Sequence, residues 1–139
     1  MKKYIFLEHT ADVKFQAFGK TIEEAFANSA SAMFNAMYDG KVKAIKKIKI
    51  KAKGKDFESL LYNFLEELLI LMDSKNFFLS KIKKIKINEK GKEKTLEAEA
   101  LGDDAKNYRI SLDVKAVTYN QMIVQSERGK WIIQVVLDV

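Results

Sequence analysis

Five consecutive residues near the start, Glu8-His9-Thr10-Ala11-Asp12, set four polar side chains between two apolar patterns, Tyr4 to Leu7 and Val13 to Ala17. Such an interruption is either a hydrogen-bonded turn, with Asp12 or Thr10 capping backbone amides, or a place where side chains meet a ligand. The other end of the chain is also unusual. Val135-Val136-Leu137-Asp138-Val139 keeps a strand pattern to the last residue and carries one carboxylate there. Termini usually fray, so a strand running to the end is expected to be tied down. Asp138, the Val139 carbonyl and the α-carboxylate offer hard oxygen ligands. With Asp12 they would suit Ca²⁺, Mg²⁺ or Mn²⁺. The plainer reading is an exposed acidic strand end without a ligand, and spacing alone does not put Asp12 beside Asp138.

Other chemistries are excluded by composition. The chain has no cysteine, so thiolate metal sites, disulfides and cysteine nucleophiles are absent. Its one histidine, His9, precludes a His-rich metal centre within the chain. A Ser-His-Asp triad would have to use His9, and no GxSxG elbow supports it. The six glycines are scattered and form neither GxGxxG nor GxxxxGK[ST]. Read from residues alone, the chain is a poor candidate for an enzyme.

The elements that must position these residues follow from periodicity. Val13, Phe15 and Ala17 alternate as a strand, which Gly19 ends. Thr21-Ile22-Glu23-Glu24 reads as a capping box that opens a helix. Ile22, Ala25, Phe26, Ala30, Met33, Phe34 and Met37 line one face of that helix, and Asp39-Gly40 stops it. Lys47 to Lys53 alternate Lys with Ile or Ala, a third strand. Asp56 caps a second helix with a stripe from Phe57 through Leu60, Leu61, Phe64, Leu65 and Leu68 to Met72. Its last turns, Leu68 to Met72, are apolar all round and predict burial against a sheet. Strands are then expected at Phe77 to Ile87, with a bulge at Lys83-Lys84, and at Leu96 to Ala100, joined by a hairpin at Asn88 to Glu93. Gly102-Asp103-Asp104 reads as a polar loop. Further strands are expected at Ile110 to Ala116, Met122 to Val124 and Trp131 to Leu137, the last two joined at Arg128-Gly129. Strands segregated behind two helices predict an α+β fold: two helices on a largely antiparallel (mixed) β-sheet, one two-layer domain over residues 1–139. No linker or internal repeat is evident. Apolar content of 47% with 32% charged residues is a globular mix. Without a signal-peptide core or a membrane-length apolar run, a cytoplasmic address is expected.

The charge is uneven. Of 25 basic residues, eight lysines fall in residues 41–55 with no acid, and eight more in 75–94 against only Glu89 and Glu93. This fits an electrostatic footprint for RNA or an acidic partner. It equally fits solvent faces of strands, where Lys discourages edge-to-edge pairing.

Three segments, His9-Thr10-Ala11-Asp12-Val13, Lys115-Ala116-Val117-Thr118-Tyr119 and Val135-Val136-Leu137-Asp138-Val139, together with the helical Leu60-Leu61-Tyr62-Asn63-Phe64-Leu65-Glu66-Glu67-Leu68-Leu69, resemble the archease family from end to end. The resemblance implies a protein cofactor, not an enzyme. Its partner would be the GTP- and metal-dependent RNA-splicing ligase of the RtcB type, which joins tRNA halves. The cofactor would promote guanylylation and multiple turnover of that ligase. The resemblance also implies a divalent-cation site at Asp12, Asp138 and Val139, Ca²⁺ ahead of Mg²⁺ or Mn²⁺. His9, Thr10, Lys115, Tyr119 and Asn120 would support that tip or contact the partner. Two positions depart from the family pattern. Asn120 stands where the family has histidine, and asparagine neither titrates nor ligates metal well. Lys14 stands where members often have glycine. Two other classes compete: a stand-alone RNA-binding or chaperone-like module using the lysine faces, tested by RNA affinity without ligase, and a small metal-dependent hydrolase using Asp12, Asp138 and His9, tested by activity of the isolated protein with Mg²⁺ or Mn²⁺. The first lacks the stacking aromatics or GXXG loop of common RNA modules.

Overall fold

The computed structural model describes residues 1–139. Two strands, β1 (Tyr4–Leu7) and β2 (Val13–Gly19), lead into helix α1 (Ile22–Met37). Strand β3 (Lys46–Gly54) then leads into helix α2 (Phe57–Lys75). Strands β4 (Phe77–Lys90), β5 (Glu93–Asp104), β6 (Ala116–Glu127) and β7 (Lys130–Asp138) complete the chain. The α+β class is as the sequence implies. The strands, however, form two sheets and not one, ordered β1-β2-β7-β6 and β3-β5-β4, and every pairing is antiparallel. Each helix packs on both sheets, α1 against β2 and β4, α2 against β3 and β6. One cluster of 29 buried residues therefore draws from both sheets and both helices.

The two strand-to-helix junctions share a design that sequence inspection did not flag as a repeat. Gly19-Lys20-Thr21 ends β2 and caps α1; Gly54-Lys55-Asp56 ends β3 and caps α2. A Cβ on either glycine would run into a helix backbone nitrogen, Ala25's or Leu60's, so only glycine lets the strand turn so tightly. Asn28 Nδ2 then donates to Phe18 O, and Asn63 Nδ2 to Lys53 O, both at 2.7 Å and both ten residues on from the carbonyl they meet. The caps differ. Thr21 accepts the amide of Glu24, as expected of an N-cap, but the reciprocal box is found at α2, where Asp56 and Ser59 bond each other's backbone amides.

Several expected elements are redrawn. Ile110 to Ala116 alternates like a strand, yet β6 begins only at Ala116. The Ser111 amide bonds Met37 O at 2.9 Å, so this segment closes the C-terminal end of α1 in place of joining a ladder. Gly102-Asp103-Asp104 is the last stretch of β5, not a loop. Asp103 is buried there because its carboxylate accepts from the Tyr108 hydroxyl at 2.7 Å and the Asp104 amide at 2.8 Å. Gly102 admits the Phe77 ring and the Phe78 carbonyl from β4. Met122 to Val124 is no separate strand but the second half of β6. Ile70 is half exposed, so the end of α2 is not covered all round. The expected bulge is present: the β4 register shifts between Lys83 and Lys86, with Lys84 at φ +51°. Gly91 (φ +62°) opens the β4–β5 turn, and Arg128 (φ +53°) and Gly129 (φ +74°) form the β6–β7 turn, the positive φ values that two-residue hairpins require.

Candidate functional site

The first and last motifs meet at one end of the four-stranded sheet. Val13 of β2 pairs with Leu137 of β7, the last pair of that ladder, so Asp12 and Asp138 are the residues next to it on the two strands. On the other side of β7, Ala116 pairs with Asp138, and the Lys115 amide donates to Asp138 O at 2.8 Å. Three segments far apart in sequence thus lie side by side, with β7 in the middle. The strand run to the last residues is tied down on both flanks, which is why it keeps its pattern.

The turn before Asp12 is strained. Ala11 adopts φ +66°, a left-handed conformation that costs roughly 1–2 kcal/mol for a residue with a Cβ. His9 Nδ1 lies 3.5 Å from Asp12 Oδ2 but makes no hydrogen bond, although that nitrogen is shielded from solvent. Asp12 is about a third exposed and Asp138 is exposed. Thr10 is exposed beside them. His9, Thr10, Asp12 and Lys14 line an open cleft of about 950 Å³, whose far wall is the last turn of α1 with Asn35 and Asp39. That wall escaped the sequence reading, because nothing in the spacing links the end of α1 to the first turn. α1 carries no basic residue in its last turn. The helix end and the carboxylates of Asp12 and Asp39 therefore set up a field that favours cations.

The middle motif is held by the second helix. Glu66 Oε1 accepts the Val117 amide at 3.1 Å. The Tyr62 ring stacks on Tyr119 at 4.4 Å with planes 8° apart. Burial, then the neighbouring Tyr62 and Asp56, push the Tyr119 hydroxyl above its ordinary pKa, so it stays neutral at physiological pH. The helical motif is thus the clamp on this strand. After Thr118 the register jumps. Thr118 pairs with Val136 and Ile123 with Gln134, so residues 119–122 bulge opposite Val135 alone. Gln121 turns through φ +55°, its carbonyl accepts from Gln134 Nε2 at 2.8 Å, and its side chain accepts from Lys14 Nζ at 2.8 Å. Asn120 rides the exposed crest of this bulge. The two departures from the family pattern are therefore neighbours: Lys14 braces Gln121, the residue after Asn120. Lys115 is exposed at the foot of the same strand.

No three His, Cys, Asp or Glu side chains converge anywhere in the molecule. A cation at this end would rest on the Asp12 and Asp138 carboxylates and main-chain oxygen. Two carboxylates at the end of one ladder, with an unpartnered His9 nitrogen beside Asp12, are of the donor type that such an ion takes.

Comparison with known proteins bears on this arrangement. The model of the family described as Archease protein family (MTH1598/TM1083) matches residues 4–139. The chain belongs to the archease family. "Protein archease" of Methanosarcina barkeri is 41% identical over 99% of this chain and 97% of its own length. "Protein archease" of Pyrococcus abyssi is 36% identical over the whole of both. The solution structure of Methanobacterium thermoautotrophicum protein 1598 is 37% identical, covers 100% of both chains and superposes with a TM-score of 0.85. A Thermotoga maritima archease, described as a possible chaperone, is 18% identical over 96% of this chain and 94% of its own, with a TM-score of 0.60, and shows that the fold persists. No helix is long and apolar enough to cross a membrane.

Proposed function

We propose that this archease is a cytoplasmic protein cofactor, not itself an enzyme, of the GTP- and metal-dependent RNA-splicing ligase that joins tRNA halves, and that it acts through the Asp12–Asp138 end of its four-stranded sheet. The observation that carries this reading is the register. It ends the β2–β7 ladder beside both Asp12 and Asp138 and lays the start of β6 alongside β7, which supports a shared role for the three strand motifs at one end of the sheet.

Guanylylation joins a ligase histidine nitrogen to the α-phosphorus of GTP and releases pyrophosphate. Negative charge on the phosphates must be offset throughout. Asp12, Asp138 and the Val139 carbonyl would hold a divalent cation, Ca²⁺ by the all-oxygen donor set. When bound, that ion supplies charge compensation near the phosphates. The chain's own residues do the positioning. The strained turn at Ala11 aims Asp12, the Lys115–Asp138 bond fixes β7, and the Tyr62–Tyr119 stack with Glu66 stiffens β6. Exposed Thr10, Lys115, Tyr119 and Asn120, with His9 behind them, form the surface offered to the ligase.

The test is covalent guanylylation of the ligase from the same source with GTP and metal, with and without this protein at substoichiometric amounts. Faster labelling and more than one joining event per ligase are expected. A well-folded protein that changes neither rate nor turnover would refute the reading.

A further inference from the structure

The three-stranded sheet has one face in the core and one in water. Ile48, Ile50 and Ala52 of β3, with Leu96, Ala98 and Ala100 of β5, point inward. Lys47, Lys49, Lys51 and Lys53 therefore point outward from β3. On the far strand, Lys81, Lys83 and Lys86 share that face by register, and Lys84 joins them through the bulge. The central strand adds Glu93, Glu97 and Glu99; Glu93 lies 4.0 Å from Lys53 and opposite Lys90 of β4. Glu99 is shared between Lys47 and Lys84, each at 3.9 Å. Removing these eight lysines, Lys90 and the three glutamates from the 25 basic and 19 acidic residues leaves sixteen of each. The whole excess positive charge of the chain sits on this one face.

Edge protection accounts for lysine on β3 and β4 as strands, but not for this localisation. The chemistry of the face selects its partner. Protein interfaces draw their energy from Trp, Tyr and Arg and are depleted in Lys. This face carries no aromatic ring and neither of the chain's arginines, Arg109 and Arg128. It has nothing to stack on a base and no fork to read a base edge. It offers two rows of point charges about 10 Å apart, with charges about 7 Å apart along each row, as sheet geometry dictates. Such an array suits a regularly charged polyanion.

We propose that this lysine face is a sequence-independent docking surface for the phosphate backbone of RNA. It lies on a different sheet from the Asp12–Asp138 end and does not depend on the ligase reading.

The probe is a short fluorescein-labelled RNA of mixed sequence, measured by anisotropy across a salt series, single-stranded and as the duplex. The variant carries Lys49→Gln, Lys51→Gln, Lys84→Gln and Lys86→Gln together. Each lost phosphate contact flattens the plot of log K against log salt by about 0.7–0.9. The variant is expected to bind at least tenfold more weakly, with a slope shallower by roughly 3. Lys20→Gln with Lys106→Gln, elsewhere on the surface, should leave affinity and slope unchanged. Thermal melts confirm folding, and the pair Lys51→Gln with Lys86→Gln should give about half the change in slope if the quadruple variant is unstable. The proposal is overturned if the wild-type protein does not bind RNA at low salt, if both variant sets lose affinity equally, or if polyglutamate competes with RNA at equal charge concentration, which would mark an acidic-protein surface.

Discussion

The two sheets of this molecule solve opposite problems with the same kind of strand. The end of β1-β2-β7-β6 is built from particular geometry: a left-handed Ala11, a four-residue bulge after Thr118, a stacked tyrosine pair and a carboxylate clamp from α2. The outer face of β3-β5-β4 has long regular ladders, two register shifts in β4 and a monotonous array of lysines. The difference teaches where specificity resides. A site that must present two carboxylates at one spot needs strain and second-layer support. A surface that meets any phosphate backbone needs only charge, because its partner repeats.

The largest expected effect that breaks this contrast is at the first sheet. Asp12→Asn and Asp138→Asn should each weaken Ca²⁺ binding at least tenfold by calorimetry, which is about 1.4 kcal/mol, while thermal stability in chelator stays unchanged. Equal binding by both variants would place the cation elsewhere. Next in size is the clamp. Glu66→Ala strands the buried Val117 amide, a loss of about 1–3 kcal/mol by denaturant unfolding. The clamp account fails if that variant unfolds like wild type. Tyr119→Ala removes only the stack on Tyr62 and should cost about 0.5–1.5 kcal/mol beyond lost area. An unchanged midpoint would show the stack to be incidental.

The smallest effect lies where the two sheets' connections meet. The Tyr108 hydroxyl, then the Asp104 amide, hold the Asp103 carboxyl below its ordinary pKa. A carboxyl depressed on folding stabilises the native state above its unfolded pKa and loses that contribution as pH falls through the lower, folded value. The Asp103 contribution should therefore be lost progressively as pH falls from the ordinary carboxylate range through the lower folded value. Tyr108→Phe removes the largest cause, so the folded value moves toward the unfolded one. The acid-dependent loss of unfolding free energy should then be smaller and complete at higher pH, in acid titrations followed by circular dichroism. Superimposable titrations would deny the link.

Legibility in the sequence followed how local each signal was. The helices, their caps at Thr21 and Asp56, the hairpin turns at Gly91 and Gly129, and the lysine alternation rest on neighbours in sequence, and all are found. Ile110 to Ala116 misled because alternation shows only which side chains turn inward. It does not show whether a strand lies alongside, and here Ser111 serves α1. Asp103 looked like a loop residue because its partner, Tyr108, follows only after a turn of 3-10 helix. That Asp12 and Asp138 stand next to the last pair of one ladder was implied by resemblance alone, since register across such a separation leaves no trace in spacing. The α1 wall of the cleft, at Asn35 and Asp39, left none either. The matched glycines and asparagines of the two strand-to-helix junctions were in plain view. Their match went unread because glycine and asparagine there serve backbone groups, and apolar periodicity is blind to those.

The contrast between the sheets meets its most direct trial in one assay of ligase guanylylation with GTP. Asp12→Ala and the quadruple lysine variant are compared with wild type at equal concentration. The account predicts that Asp12→Ala, though folded, gives no stimulation above ligase alone, whereas the lysine variant stimulates fully, because guanylylation involves no RNA. Full stimulation by Asp12→Ala would contradict it.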